Sequence, residues 1–179
     1  MLNIENTALI VIDVQGRLAQ LMYDKEKLFQ NLKIIIQSAQ ILDMPIIWME
    51  QMPEKIGSTT PEIAELIKDV KPIKKVCFNC CDNEEFLRAL LNVECAELLL
   101  AGIETHICVY QTAMDLLKRG YGVHALADAI SSREALNKKI GLKKIEKAGG
   151  SLTTVETVVF ELLKSVEHKK FSDIIKIIK

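Results

Sequence analysis

Leu98-Leu99-Leu100-Ala101-Gly102-Ile103-Glu104-Thr105-His106-Ile107-Cys108-Val109 is the stretch that decides how this chain is built. It opens as a short apolar run of strand character. Beyond Val109, Ala113, Leu116 and Leu117 recur at helical spacing up to Lys118, and Gly120 ends the pattern. A strand feeding a helix through a turn with a cysteine on it places a thiol near N-terminal backbone N–H groups, where the helix dipole favours a thiolate. Cys108 is therefore expected either as a nucleophile or, since free cysteine behaves as a small hydrophobe, as part of the core.

The same alternation extends in both directions. Ala8-Leu9-Ile10-Val11-Ile12 is a continuous apolar run, as expected of a strand covered on both faces. Leu28, Leu32, Ile35, Ala39 and Leu42 follow at helical spacing, then a second strand, Pro45-Ile46-Ile47-Trp48-Met49. Thr60-Pro61 opens a short helix with Pro at its first position. A weaker third strand is predicted over residues 73–78, and Asp82 with Glu85 reads as the capping box of the next helix. Residues 98–103 form the fourth strand and 123–127 the fifth. A helix is expected over 133–148, a short sixth strand at Ser151-Leu152-Thr153, and two closing helices, the first begun by Thr153 or Thr154. Strand–helix units of this length imply parallel strands joined by right-handed crossovers, hence an α/β sandwich. Only residues 50–60 read as a longer loop.

Composition narrows the class. The 179 residues suit one domain, taken as residues 1–179. Lys and Arg number 23 against 24 Asp and Glu, a net charge of −1, which argues against nucleic acid or an anionic membrane as the main partner. The apolar run near the N-terminus is interrupted by Asp13, is too short to span a bilayer, and lacks the flanks of a signal peptide. Five cysteines without a secretion signal point to the cytoplasm.

In such a sheet a ligand binds at the carboxyl ends of the strands, near a topological switch. Asp13 and Cys108 both fall on that rim. Asp13 is either a base whose pKa is set by burial and a neighbouring cation, or a strand-end residue bonding loop N–H groups. Lys75, inside Lys74-Lys75-Val76-Cys77-Phe78, is either an ammonium that stabilises a thiolate or a solvated lysine; alternation puts Lys74 on the opposite face. His106 is two residues from Cys108, so the two side chains project apart and make a poor dyad. Cys77 and Cys80 have C-x2-C spacing, but no second pair completes a zinc set. No Gly-rich phosphate-binding sequence appears.

With Asp13, Lys75 and Cys108 in place, the chain resembles the isochorismatase-like (cysteine hydrolase) superfamily over nearly its whole length. The matching pieces are Ile12-Asp13-Val14-Gln15, the stretch from Gly102 to Val109, Gln111-Thr112-Ala113, Asp128-Ala129 and Ser131-Ser132-Arg133. Glu50-Gln51, Gly57-Ser58-Thr59, Pro61-Glu62 and Thr153-Thr154-Val155-Glu156 resemble the subgroup of isochorismatase domain-containing proteins.

The resemblance implies a three-layer α/β sandwich with a six-stranded parallel sheet and an Asp–Lys–Cys triad. Asp13 would be the base, Lys75 the cation and Cys108 the nucleophile. It also implies a cis peptide at Ile103-Glu104, with the N–H groups of Glu104 and Cys108 as an oxyanion hole. Homo-oligomers are common in the family. The metal-dependent nicotinamidases of the superfamily carry histidines after the second strand, where this chain reads Glu50-Gln51-Met52-Pro53, so neither a metal nor another cofactor is expected. Gln15, Gln51 and Arg133 are further candidates for contact with a small-molecule substrate. The expected activity is cysteine-dependent hydrolysis of a small amide or ester. The alternative is a catalytically silent scaffold of the same fold acting through protein partners.

Overall fold

The computed structural model describes residues 1–178; Lys179, the last residue of the expected domain, lies outside the described residues. Six parallel strands form one sheet: β1 (Thr7–Ile12), β2 (Ile46–Gln51), β3 (Ile73–Lys75), β4 (Glu97–Ile103), β5 (Gly122–Ser131) and β6 (Ser151–Thr153). Their order is β3-β2-β1-β4-β5-β6. The chain therefore runs outward from β1 to β3, returns to the middle at β4, and runs outward again to β6. The carboxyl ends of β1 and β4 face the crevice created by that reversal.

Helices α1 (Gly16–Gln20), α2 (Lys25–Ile41), α3 (Pro53–Ile56), α4 (Pro61–Ala64) and α5 (Glu84–Asn92) belong to the first half. Helices α6 (Tyr110–Lys118), α7 (Ala135–Lys147), α8 (Val155–Leu163) and α9 (Phe171–Ile178) belong to the second. Every residue of β1 is buried, and the two-residue period of the strand divides them between two cores. Leu9 and Val11 join Leu99 and Ala101 beneath α2 and α8, against Leu32, Ile36, Val158 and Leu162. Ala8, Ile10 and Ile12 join Leu98 and Leu100 beneath α5 and α6, against Phe86, Leu90, Ala113 and Leu116. That division is why β1 reads as an unbroken apolar run. Val158, Val159, Leu162 and Leu163 of α8 thus serve the core of this chain, while Phe160 is exposed.

Gly102 is where the sheet requires a residue without a side chain. It has φ +117°, and a Cβ there would come 2.0 Å from the Ile12 carbonyl oxygen. Close approach of β4 to the end of β1 depends on that missing atom.

Several local expectations are corrected. The third strand stops at Lys75 rather than running to residue 78, because the carbonyls of Cys77 and Phe78 turn toward the Lys75 ammonium instead of pairing in the sheet. The N-cap of α5 is Asn83, not Asp82: its Oδ1 accepts the Phe86 N–H at 2.9 Å, while Asp82 lies in a 3-10 turn with Cys80 and Cys81. The fifth strand extends to Ser131 through an irregularity in its pairing with β4. The segment read as a loop at 50–60 contains α3, and its Thr59 pairs with Gln15.

Candidate active site

Adjacent strand ends carry the candidate side chains. Asp13 follows β1, Gln51 ends β2, Lys75 ends β3, and Glu104 and Cys108 follow β4. Asp13 adopts the left-handed conformation with φ +52°, one that Asp tolerates better than most residues, and the chain turns there into α1. Its backbone N–H donates to the Met49 carbonyl on the neighbouring strand at 3.2 Å. β3 alternates its side chains, so Lys74 is exposed and paired with Glu54, while Lys75 points inward and is 2 % exposed.

Lys75 is the hub. Its Nζ donates to Asp13 Oδ2 at 2.7 Å, to Gln51 Oε1 at 2.7 Å and to the Cys77 carbonyl at 3.1 Å. An ammonium buried to this degree is tolerated only when its donors are met, and here oxygen acceptors surround it. Burial is the largest single influence and lowers its pKa, but the Asp13 charge, the Cys80 and Cys108 sulfurs and the hydrogen bond to Asp13 together outweigh it and hold the ammonium above its ordinary value. Asp13 is displaced upward too: burial raises its carboxyl, and the opposing Lys75 charge only partly offsets this. Its second oxygen, Oδ1, is buried and has no hydrogen-bond partner.

Cys108 sits in a π turn, Thr105–Val109, that leads into α6. Its Sγ lies 3.9 Å from Gln51 Oε1, the same oxygen that receives Lys75. The thiolate expected from the helix terminus is not what the surroundings favour. Burial pushes the thiol up to about 12, the Asp13 carboxylate adds to the rise, and Lys75 offsets only part of it. Burial is the main cause, and Lys75, already paired with Asp13, does not make up for it. At rest the sulfur is a thiol.

The turn itself is held from behind. The peptide Ile103–Glu104 is cis. The Glu104 carbonyl accepts the N–H groups of Ile107 and Val109 at 3.0 and 3.3 Å. The buried Glu104 carboxylate receives the Arg133 backbone N–H at 3.0 Å and Arg133 Nε at 3.2 Å. His106 Nδ1 lies 3.0 Å from Ser132 Oγ, so the ring is engaged with the segment after β5. Gln15 is fully buried: Nε2 donates to the carbonyls of Gln51 and Gly57 at 3.0 and 2.6 Å, and Oε1 accepts the Gln51 N–H at 2.6 Å. It straps β2 to the following loop.

The structure thus brings Asp13, Lys75, Gln51 and Cys108 together and places Glu104 and Arg133 at the back of the turn. Glu50 is buried nearby, accepting the Thr59 N–H at 2.6 Å, and Trp48 Nε1 donates to Thr59 Oγ1 at 2.8 Å. Neither contact had a sequence signal beyond the buried strand on which the two residues sit. The carbonyls of Cys77 and Phe78 had none at all, because any residue supplies a carbonyl. Among the described residues, all five cysteines are free, and no group of three or more His, Cys, Asp or Glu side chains is placed to hold a metal ion. No helix among them is long and apolar enough to cross a membrane.

A parallel α/β sheet with this order and this rim has the fold of the isochorismatase-like hydrolases. The isochorismatase domain model matches residues 7–157. The chain is 33% identical over 178 residues to isochorismatase domain-containing protein 2A of Mus musculus, covering 98% of this chain and 84% of that one. It belongs to the isochorismatase family. The structure named MAR1 ribonuclease from Caenorhabditis elegans superposes with a TM-score of 0.93 at 35% identity, covering 99% of this chain and 91% of that chain. The YcaC gene product of Escherichia coli, described as an octameric hydrolase of unknown specificity, superposes with a TM-score of 0.93 at 22% identity, covering 98% and 89%.

Proposed function

We propose that this protein is a cysteine-dependent hydrolase of a small amide or ester, working in a reducing cytoplasm, with Asp13 as base, Lys75 as cation and Cys108 as nucleophile. The observation that carries the reading is the chain of contacts from Asp13 Oδ2 through Lys75 Nζ to Gln51 Oε1 and on to the Cys108 sulfur.

Because the resting sulfur is protonated, attack and deprotonation are coupled. Asp13, raised by burial and carrying an unpartnered Oδ1, takes the thiol proton as sulfur bonds to the substrate carbonyl carbon. Lys75 stabilises the negative charge that passes through sulfur. The carbonyl oxygen gains charge toward the N–H groups of Glu104 and Cys108. Collapse expels the amine or alcohol, which takes the proton held on Asp13, and leaves a thioester. Asp13 then deprotonates water, which attacks the thioester; the acid leaves and the thiol regains its proton. Gln51 positions Lys75 against the sulfur, and Gln15 positions Gln51. Arg133 holds the turn through Glu104.

Turnover of a panel of small amides and esters by wild type and by Cys108→Ala tests the reading. Wild type is expected to hydrolyse at least one compound and Cys108→Ala none; a substrate cleaved equally by both would overturn it. A second reading, RNA cleavage, is favoured by the name of the Caenorhabditis elegans relative at 35% identity. Incubation of both proteins with single-stranded RNA separates the two, since RNA cleavage retained in Cys108→Ala would favour a different centre. The family resemblance also carries the expectation of a homo-oligomer, which light scattering on the purified chain measures.

A further inference from the structure

Away from the strand ends, α7 carries a concentration of charge that the proposed reaction does not use. Residues 135–147 hold five Lys against one Glu, in a chain whose overall charge is −1. Ala135, Lys138, Lys139, Leu142, Lys143 and Glu146 fall at positions i, i+3, i+4, i+7, i+8 and i+11, a single stripe of the helix. That stripe, with the ring of Tyr23 and the side chain of Leu152 on β6, walls a groove of about 490 Å³.

Like charges at i and i+4, such as Lys139 and Lys143, repel on a helix surface, and natural helices usually relieve this with a carboxylate neighbour. Here the one carboxylate on the stripe, Glu146, lines the same groove but closes no ion pair with Lys143 among the described residues. Among the described residues, Lys138, Lys139 and Lys143 have no ion pair within 4.0 Å, although other surface lysines, Lys33, Lys68 and Lys74 among them, do. Lys144, off the stripe, is placed over the Tyr110 ring at 4.2 Å. Lys138 is half-buried, and burial lowers the pKa of its ammonium. Asp24 and Asp128 act on it only from a distance, in an adjoining cavity that they share with Lys27.

The geometry points to a binding site on α7 for a phosphate monoester attached to a flat apolar body, of the size of a nucleoside monophosphate. Three ammonium groups match a dianion better than a singly charged carboxylate, and Leu142, Leu152 and the Tyr23 ring offer a surface for the apolar part. The groove volume falls in the range of small-molecule sites, roughly 300–1,000 Å³. The site also touches the machinery behind Cys108. The Tyr23 N–H donates to the Ser132 carbonyl at 2.9 Å and its carbonyl accepts Ser131 Oγ at 2.7 Å, just before Arg133. On the inner side of α7, Gly141 lies so close to the turn that a Cβ would come 2.9 Å from the Thr105 carbonyl oxygen.

Calorimetric titration with adenosine monophosphate, adenosine and inorganic phosphate tests the site. The monophosphate is expected to bind at least tenfold more tightly than either fragment. Lys139→Glu and Lys143→Glu, both exposed, are expected to weaken it tenfold or more; Lys147→Glu, one turn further along the helix and outside the groove lining, less than twofold. Cys108→Ala is expected to bind as wild type does. Absence of binding at millimolar concentration overturns the site. So does an equal loss in Lys147→Glu, which would mean diffuse attraction, or a loss in Cys108→Ala, which would place the ligand at the strand ends.

Discussion

Two cation–carboxylate pairs stand at the carboxyl edge of the same sheet, and they are built for different work. Lys75–Asp13 closes at 2.7 Å with side-chain exposures of 0% and 4%. Arg133–Glu104 closes at 3.2 Å with exposures of 54% and 4%. The first pair has given up its water, so each partner's protonation depends on the other and on the sulfur beside them. In the second, half of the cation still lies in solvent, and the pair's task is to anchor a turn. A charge can fix backbone without being desolvated; to govern a proton it must be buried.

Breaking the buried pair gives the largest effect. Lys75→Met leaves Asp13 without its counter-ion and is expected to cost about 3–5 kcal/mol of stability by urea unfolding. In the proposed reaction it should also cost on the order of 10³ in kcat. Asp13→Asn combined with Lys75→Met should recover much of the stability and none of the activity. Recovery of activity would remove both residues from the chemistry.

Next in size is the contrast among the thiols. With limiting iodoacetamide near neutral pH, Cys77, which is partly exposed, should be alkylated well ahead of Cys108, which is buried with its thiol near 12. Mass mapping reads the order, and faster labelling of Cys108 would contradict a protonated resting sulfur. The sign for stability follows. An unfolded chain loses this proton near 9 and the folded chain near 12, so stability falls as pH climbs between those values. Cys108→Ala should shallow that fall.

The proposed base gives a smaller, graded signature. Asp13 must be ionised to accept a proton, and its pKa is raised by burial. Activity should therefore fall on the acid side with a midpoint above the ordinary carboxylate value of about 3.9. A limb at or below that value would exclude Asp13 as the base.

Least affected should be Arg133→Ala. It removes the contact from Nε but keeps the backbone N–H that donates to Glu104 at 3.0 Å. The expected cost is about 0–1 kcal/mol by urea unfolding, with activity reduced only a few-fold.

The sequence made the fold legible because β1 and β4, covered on both faces, carry apolar runs that alternate with helical patterns, as the strands of a parallel sheet do. It showed Asp13 and Cys108 on one rim, and Lys75 through its alternation with Lys74. What it could not show was electrostatic. A helix terminus beside Cys108 suggested a thiolate, yet the ammonium that would stabilise one is committed to Asp13, across 62 residues of sequence. Nor could it show that Gln51 is shared between Lys75 and the sulfur, or that Gln15 spends its amide on backbone groups. The short β3 has a similar origin, since carbonyls that leave the sheet for an ammonium carry no side-chain code.

The most direct test of the nucleophile is intact-mass and peptide analysis after rapid quench with p-nitrophenyl acetate. An acetyl group on the Cys108 peptide, released by hydroxylamine and absent from Cys108→Ala, is the expected result. Acetylation confined to other residues, with ester turnover unchanged in Cys108→Ala, would contradict it.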